Sequence, residues 1–327
     1  QVEILALGNA IVDVLSHVDD TVIDGLPVNK GAMTLIGAVE AQQMYSVLGP
    51  GVECSGGSAA NTVVGAAMLG ARTAFVGRVK DDQLGSIFAH DIRAAGVRFD
   101  AAAATDGPDT AVCLVMVTPD AHRTMCTHLG ASIELGPEDV DETLVRDSAV
   151  LYLEGYLWDP PGAREAMRKA IRIARDEGRA VALSLSDPFC VDRHRVDFLD
   201  LVDNDVDILF ANEDELTSLY DTEDLDKAFN EVMTLVKVAA CTRGEHGAVI
   251  VGDGETHLIP AEPAVQVVDT TGAGDLFAAG FLAGWTRGRN LHDCGRMGAV
   301  AAAEVISHLG ARPEADLAAL VAERVPA

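Results

Sequence analysis

Short apolar runs followed by a loop and an amphipathic helix recur along this chain, and few architectures accept that rhythm. Val2 to Leu7 reads as a buried strand. Thr73 to Gly77 leads into an amphipathic Asp82 to Ala95, and Ala149 to Leu153 leads into Gly162 to Glu177. Ala180 to Leu185 and Asp207 to Phe210 continue the series as strands. Strands alternating with helices of this length require right-handed crossovers, which build a mostly parallel central sheet covered by helices on both faces. The expected fold class is α/β. Two stretches break the rhythm. Residues from about Leu15 to Ile36 hold short alternating segments, and Ala111 to Val117 is joined to Arg123 to Thr127 by a Pro119-Asp120 turn. Both read as exposed β structure that would meet as a small β-sheet lid over the carboxyl ends of the core strands, where open α/β sheets bind ligands. The expected division is a core of residues 1–13, 37–98 and 129–327 and a lid of residues 14–36 and 99–128.

Charge narrows the partners. Lys plus Arg number 24 against 51 Asp plus Glu, a formal net charge of −27, and such a chain repels a nucleic-acid backbone or an anionic bilayer. Phosphate chemistry here must therefore rely on local donors and a metal. No apolar run approaches the ~18 residues that span a bilayer, and no basic leader-like segment opens the chain, so a cytoplasmic monomer or homodimer is expected. The six cysteines form no CxxC pair, which argues against a zinc knuckle or a disulfide framework.

The segment Val267-Val268-Asp269-Thr270-Thr271-Gly272-Ala273-Gly274-Asp275, running into Leu276 to Phe281, carries the chemistry. It reads as a strand end, a glycine-rich turn and an apolar helix. Backbone amides of Gly272, Ala273 and Gly274 at a helix N-terminus form an anion site suited to a transferring phosphoryl group. Asp275, in the first helical turn, either accepts a proton from an alcohol held against that turn or simply caps it. No Lys-Ser/Thr follows and the spacing is not GxGxxG, so neither a Walker loop nor a dinucleotide fingerprint is present. After the first strand, Gly8-Asn9 and Asp13 place a carboxylate that either takes two sugar hydroxyls or caps a turn. Gly56-Gly57 precede a helix with Ser58 as its expected N-cap. Asn212 and Glu215 fall on one helical face, Cys241 to Gly247 is a strand-to-loop turn, and Arg123 lies on a lid strand from which it could bring positive charge to a phosphate.

The run Asp269 to Asp275 resembles the C-terminal signature of the ribokinase-like (PfkB) family of sugar and nucleoside kinases. Gly56-Gly57-Ser58-Ala59-Ala60-Asn61, continuing to Val76-Gly77-Arg78-Val79 and Asp82-Gly85, resembles its N-terminal signature. The resemblance implies ATP-dependent phosphoryl transfer to a primary hydroxyl of a small nucleoside or sugar, with Asp275 as base and the amides of Gly272, Ala273 and Gly274 as anion hole. It further implies that Asn9, Asp13, Gly56, Gly57 and Asn61 bind the acceptor. Asn212 and Glu215 would organise Mg²⁺ through water, while Thr242, Gly244 and Gly247 would contact the nucleotide and His308 would line its groove. Asp269 and Thr271, with Gly310 of the terminal Gly310-Ala311-Arg312-Pro313, would hold a monovalent cation, expected to be K⁺. Leu183 to Phe189 and the Arg123-Thr124-Met125 lid segment resemble adenosine kinase-like members most. Adenosine is the expected acceptor, with ribose, fructose, inosine or guanosine as alternatives. A non-catalytic sugar or nucleoside binder is the alternative of a different class; a dinucleotide oxidoreductase would need more glycine after the first strand than Gly8-Asn9-Ala10 offers.

Overall fold

The computed structural model describes every residue except Ala121, Ala264, Val265 and Ala327; the last of these closes the expected core range. In chain order the first strands are β1 (Val2–Leu7), β2 (Ile11–His17), β3 (Met33–Leu35), β4 (Val52–Gly56), β5 (Thr73–Val76), β6 (Ala111–Val117) and β7 (Arg123–His128). They are followed by β8 (Ser148–Glu154), β9 (Ala180–Ser184), β10 (Ile208–Asn212), β11 (Val238–Thr242), β12 (Ala248–Gly252) and β13 (Glu255–Ile259).

The larger sheet runs β13-β12-β11-β10-β9-β8-β1-β5. It is parallel from β5 to β11 and antiparallel where β11, β12 and β13 meet. β1 shows why these strands read as unbroken apolar runs. Ile4 and Ala6 enter one apolar layer with the helices Ser58–Met68, Ala273–Trp285 and Leu291–Val305, whereas Leu5 and Leu7 enter the other with Pro161–Asp176 and Pro188–Asn204. A parallel strand covered on both faces has no polar side to alternate with.

The smaller sheet, in the order β3-β7-β6-β2-β4, contains the strands expected to form the lid. It is wider than 14–36 and 99–128, because it begins at Ile11 and takes in Val52–Gly56. Nor is it an exposed sheet throughout: all seven residues of β6 are buried. Residues at even positions, Val12, Val14, Val112, Leu114 and Met116, pack into the main core, while Cys113, Val115 and Val117 form a separate apolar cluster on the opposite face with Ile11, Leu15 and Met125. The period of two along β2, β6 and β7 thus sends odd-numbered residues, among them Asp13, Cys113, Val115, Arg123 and Met125, toward the space between the two sheets.

Val267 and Val268 do not form the expected strand. The Val268 amide donates to the Ile306 carbonyl at 2.8 Å, so this segment docks on a helix end instead of a sheet edge. Among the described residues no helix is long and apolar enough to cross a membrane.

Candidate active site

A cavity of about 550 Å³ lies between the carboxyl ends of the core strands and the lid, within the usual range for a small-molecule site. The glycine-rich turn forms one wall. Gly272 sits at φ +77°, and a Cβ there would lie 2.8 Å from the Ala311 Cβ, so both backbone conformation and space require glycine. The helix starts immediately after it, placing Asp275 at the third helical position. The Ala273 amide donates to the Thr270 carbonyl at 3.2 Å. Among the described residues the Gly272 and Gly274 amides have no partner, so two of the three expected anion-hole donors are free and the third is shared with the turn.

Asp275 accepts from the Ser58 hydroxyl at 2.6 Å and from the Asn61 amide at 3.1 Å. Burial raises its pKa above the ordinary aspartate value, while Ser58, Asn61 and the nearby Arg312 act in the opposite direction. Ser58 is therefore a partner of the candidate base and not the N-cap, which is Gly57. Gly57 has φ +97°, and a Cβ on it would meet the Asn9 carbonyl at 2.3 Å.

Asp13 faces the cavity from β2. Among the described residues no group donates a hydrogen bond to it, and its carboxylate is free for hydroxyls. Burial pushes its pKa up to about 6, partly offset by Arg312 and Arg123. Gly56 backs it closely, since a Cβ there would strike the Asp13 carboxylate at 2.3 Å. Asn61 lines the cavity and its Oδ1 is buried without a donor. Asn9 is set behind this layer: its backbone and side-chain amides donate to Glu154 Oε1 at 2.9 and 2.8 Å, and the Ala59 amide donates to Oε2 at 2.8 Å. Glu154, which sequence reasoning left out, thereby pins the loop after β1 to the helix carrying Asn61. Burial raises it to about 7 despite those donors. Its signal was a carboxylate ending an apolar strand. Arg312 was quoted in a motif without a role. Its Nε donates to the Ser55 carbonyl at 2.9 Å and its Nη2 to the Ser55 hydroxyl at 2.6 Å, which sets positive charge behind Asp13.

On the side expected to meet the nucleotide, Asn212 and Glu215 form a reciprocal cap. The Asn212 backbone and side-chain amides each reach one Glu215 oxygen at 3.0 Å, and the Glu215 amide donates to Asn212 Oδ1 at 2.8 Å. Both line the cavity, and burial raises Glu215 to about 7. Each Glu215 oxygen accepts one hydrogen bond and keeps a lone pair, which fits a carboxylate that would hold Mg²⁺ through water. Thr242 and Gly244 line the cavity. Gly247 closes the β11–β12 turn, and the His308 ring pairs with Glu304 at 3.2 Å; neither is among the lining residues.

Arg123 does not point freely at the place of a phosphate. Its Nη1 donates to Asp269 Oδ2 at 2.5 Å and its Nη2 to the Thr271 hydroxyl. Gly310 joins the group, its amide donating to Asp269 Oδ2 at 2.9 Å.

Residues 32–317 match the family model described as pfkB family carbohydrate kinase. The chain belongs to that family. This kinase is 50% identical to the solved adenosine kinase from Sinorhizobium meliloti, with a TM-score of 0.90 over 98% of this chain and 99% of that one. It is 30% identical to the adenosine kinase of Saccharomyces cerevisiae over 78% of each chain. It is also 30% identical to the ATP-dependent ribose-1-phosphate kinase of Halopiger xanaduensis, over 71% of this chain and 74% of the relative. The kinase is thus a phosphotransferase with an alcohol group as acceptor, of the carbohydrate and nucleoside kinase class.

Proposed function

We propose that this kinase transfers the γ-phosphoryl group of ATP to the primary 5′ hydroxyl of adenosine. The observation that carries this reading is the division of the acceptor cavity into unlike halves. Its polar part is Asn61 and Asp275 of the core together with Asp13, which projects from lid strand β2 between Ile11 and Leu15; the rest of the lid's odd-numbered face, with Ile11, Leu15, Cys113, Val115 and Met125, is an apolar roof. A nucleoside has the same division, a ribose with hydroxyls and a flat base whose faces are best buried against apolar surface. A free sugar would set hydroxyls against that roof without partners, at a cost on the order of 1–3 kcal/mol for each one left unpaired. A phosphorylated sugar would meet three carboxylates, Asp13, Asp275 and Glu215, and a lining arginine already engaged with Asp269. The likeness to the Sinorhizobium meliloti adenosine kinase supports the same acceptor.

In this reading Asp13 accepts hydrogen bonds from the ribose hydroxyls and Asn61 fixes the sugar next to the turn. The 5′ hydroxyl then lies against Asp275, whose carboxylate takes its proton as the oxygen attacks the γ-phosphorus, the bond to the bridging oxygen breaks and ADP leaves. The free amides of Gly272 and Gly274 receive charge developing on the transferring group. Glu215, with Asn212 beside it, would hold Mg²⁺ through water, and the ion would supply charge neutralisation to the nucleotide phosphates. Closure between lid and core keeps water from the phosphoryl group. An ATP-consumption screen over adenosine, guanosine, inosine, ribose, fructose and ribose 1-phosphate tests the assignment, with the product identified by ³¹P NMR. Adenosine is expected to give the highest rate and a 5′-phosphate; a faster reaction with a free or phosphorylated sugar would contradict it.

A further inference from the structure

The side chains assigned by resemblance to a monovalent cation converge, but as arranged they do not fit one. Asp269 Oδ1 accepts the Thr271 amide at 2.9 Å, and Oδ2 accepts both the Gly310 amide at 2.9 Å and Arg123 Nη1 at 2.5 Å. The Thr271 hydroxyl oxygen takes the second arm of the same guanidinium. Gly310 turns its N–H toward Asp269, where a cation would need an oxygen. The pair is enclosed, with side-chain exposures of 11% for Arg123 and 4% for Asp269. A K⁺ ion placed beside Asp269 would have to share that carboxylate with a guanidinium that repels it.

We propose that Arg123, carried in from lid strand β7, is itself the resident cation of the glycine-rich turn. Its planar fork reaches a carboxylate and a hydroxyl two residues apart, a geometry that neither a lysine nor a spherical ion reproduces. By neutralising Asp269 and tying down Thr271 it orders the residues leading to the Gly272 and Gly274 amides. Arg123 is thus a positioning residue, and the turn is ordered by the lid instead of by a dissolved ion. The kinase therefore works without K⁺. Removing the guanidinium leaves a buried carboxylate without a counter-charge and a space beside it, which creates the demand for a small cation that the intact chain lacks.

Thermal unfolding of the ligand-free protein tests this without reference to the acceptor. Tetramethylammonium chloride is replaced stepwise by KCl at constant ionic strength. The wild-type Tm is expected to stay flat. Arg123→Ala is expected to melt roughly 5–10 °C lower and to regain part of that loss in a saturable, K⁺-specific manner, with guanidinium chloride at low millimolar concentration substituting for K⁺. Initial rates should follow the same pattern: no K⁺ response in wild type, and a lowered rate in Arg123→Ala that K⁺ raises at least about fivefold. Arg123→Lys, which keeps the charge, should show no K⁺ response in Tm. A saturable K⁺ response in the wild-type Tm, or an Arg123→Ala protein that folds and ignores K⁺, would overturn the proposal. If Arg123→Ala does not fold, the wild-type titration decides alone.

Discussion

Asp275 is placed so that opposing influences meet on one carboxylate. Burial favours its protonated form, whereas the helix N-terminus and the donors Ser58 and Asn61 favour the anion. A base needs that balance, because it must be ionised when the hydroxyl arrives and able to hold the proton afterwards. Asp275→Asn keeps the shape and removes proton acceptance. Its kcat should fall by at least about 10²-fold with ATP affinity and Tm near wild type, as read by steady-state kinetics, ATP titration and calorimetry. In the proposed function Asp13 acts on the acceptor alone. Asp13→Ala should raise the acceptor KM about tenfold or more and leave the KM for ATP nearly unchanged. Because burial lifts the Asp13 carboxyl to about 6, protonation below that pH removes lone pairs from the acceptor hydroxyls. The pH profile of kcat/KM for the acceptor should therefore fall on its acid side near pH 6. Asp13→Asn should lower the plateau and shift that limb, leaving the part set by the other buried carboxylates of the site.

At the scale of elements, the turn and the lid carry separable functions. Gly272→Ala imposes a left-handed alanine and a Cβ against Ala311, at a cost of about 1–3 kcal/mol. It should lower Tm by several degrees and depress kcat more than either KM, because the amides that it displaces serve the transferring group. Met125→Glu places a charge on the apolar roof and should raise the acceptor KM at least about tenfold with little change for ATP. Much of this was legible in the sequence wherever one segment decides its own state. β1, β5, β8 and β9 are apolar runs bounded by turn residues, and the glycine-rich turn announces itself through consecutive small residues before an apolar helix. Other elements are decided by distant partners. β4, Val-Glu-Cys-Ser-Gly, has no strand-like alternation and pairs because Ile11 to Leu15 lies beside it. The burial of β6 depends on a core that its own residues do not describe, and Val267-Val268 has strand composition but meets a helix end. The same holds in the site. Asp13, Asn61 and Asp275 sit in local motifs, whereas the roles of Ser58 and Arg312 arise from contacts across 217 and 257 residues of chain.

For the whole molecule, three buried carboxylates besides Asp275 share one direction of shift: Asp13 to about 6, Glu154 to about 7 and Glu215 to about 7. Each has a folded pKa above its unfolded value, so the stability linked to it is fully present below about pH 4 and is lost as pH rises through 6 to 7. Self-repulsion from a net charge of −27 acts in the same sense. Tm should therefore decline from pH 5.5 to pH 8, with each carboxylate contributing roughly 1–3 kcal/mol. Glu154→Gln should make that decline shallower, as measured by calorimetry in buffers of equal ionic strength. Asp13 and Glu215 line the cavity, Glu154 lies behind it, and selectivity between acceptors tests the proposed division of that cavity most directly. The deciding measurement is kcat/KM for adenosine and for ribose with the same enzyme, ATP and Mg²⁺. Burial of the base under the lid should favour adenosine by about 10²-fold or more. A ratio near one, or a preference for ribose, would contradict the account.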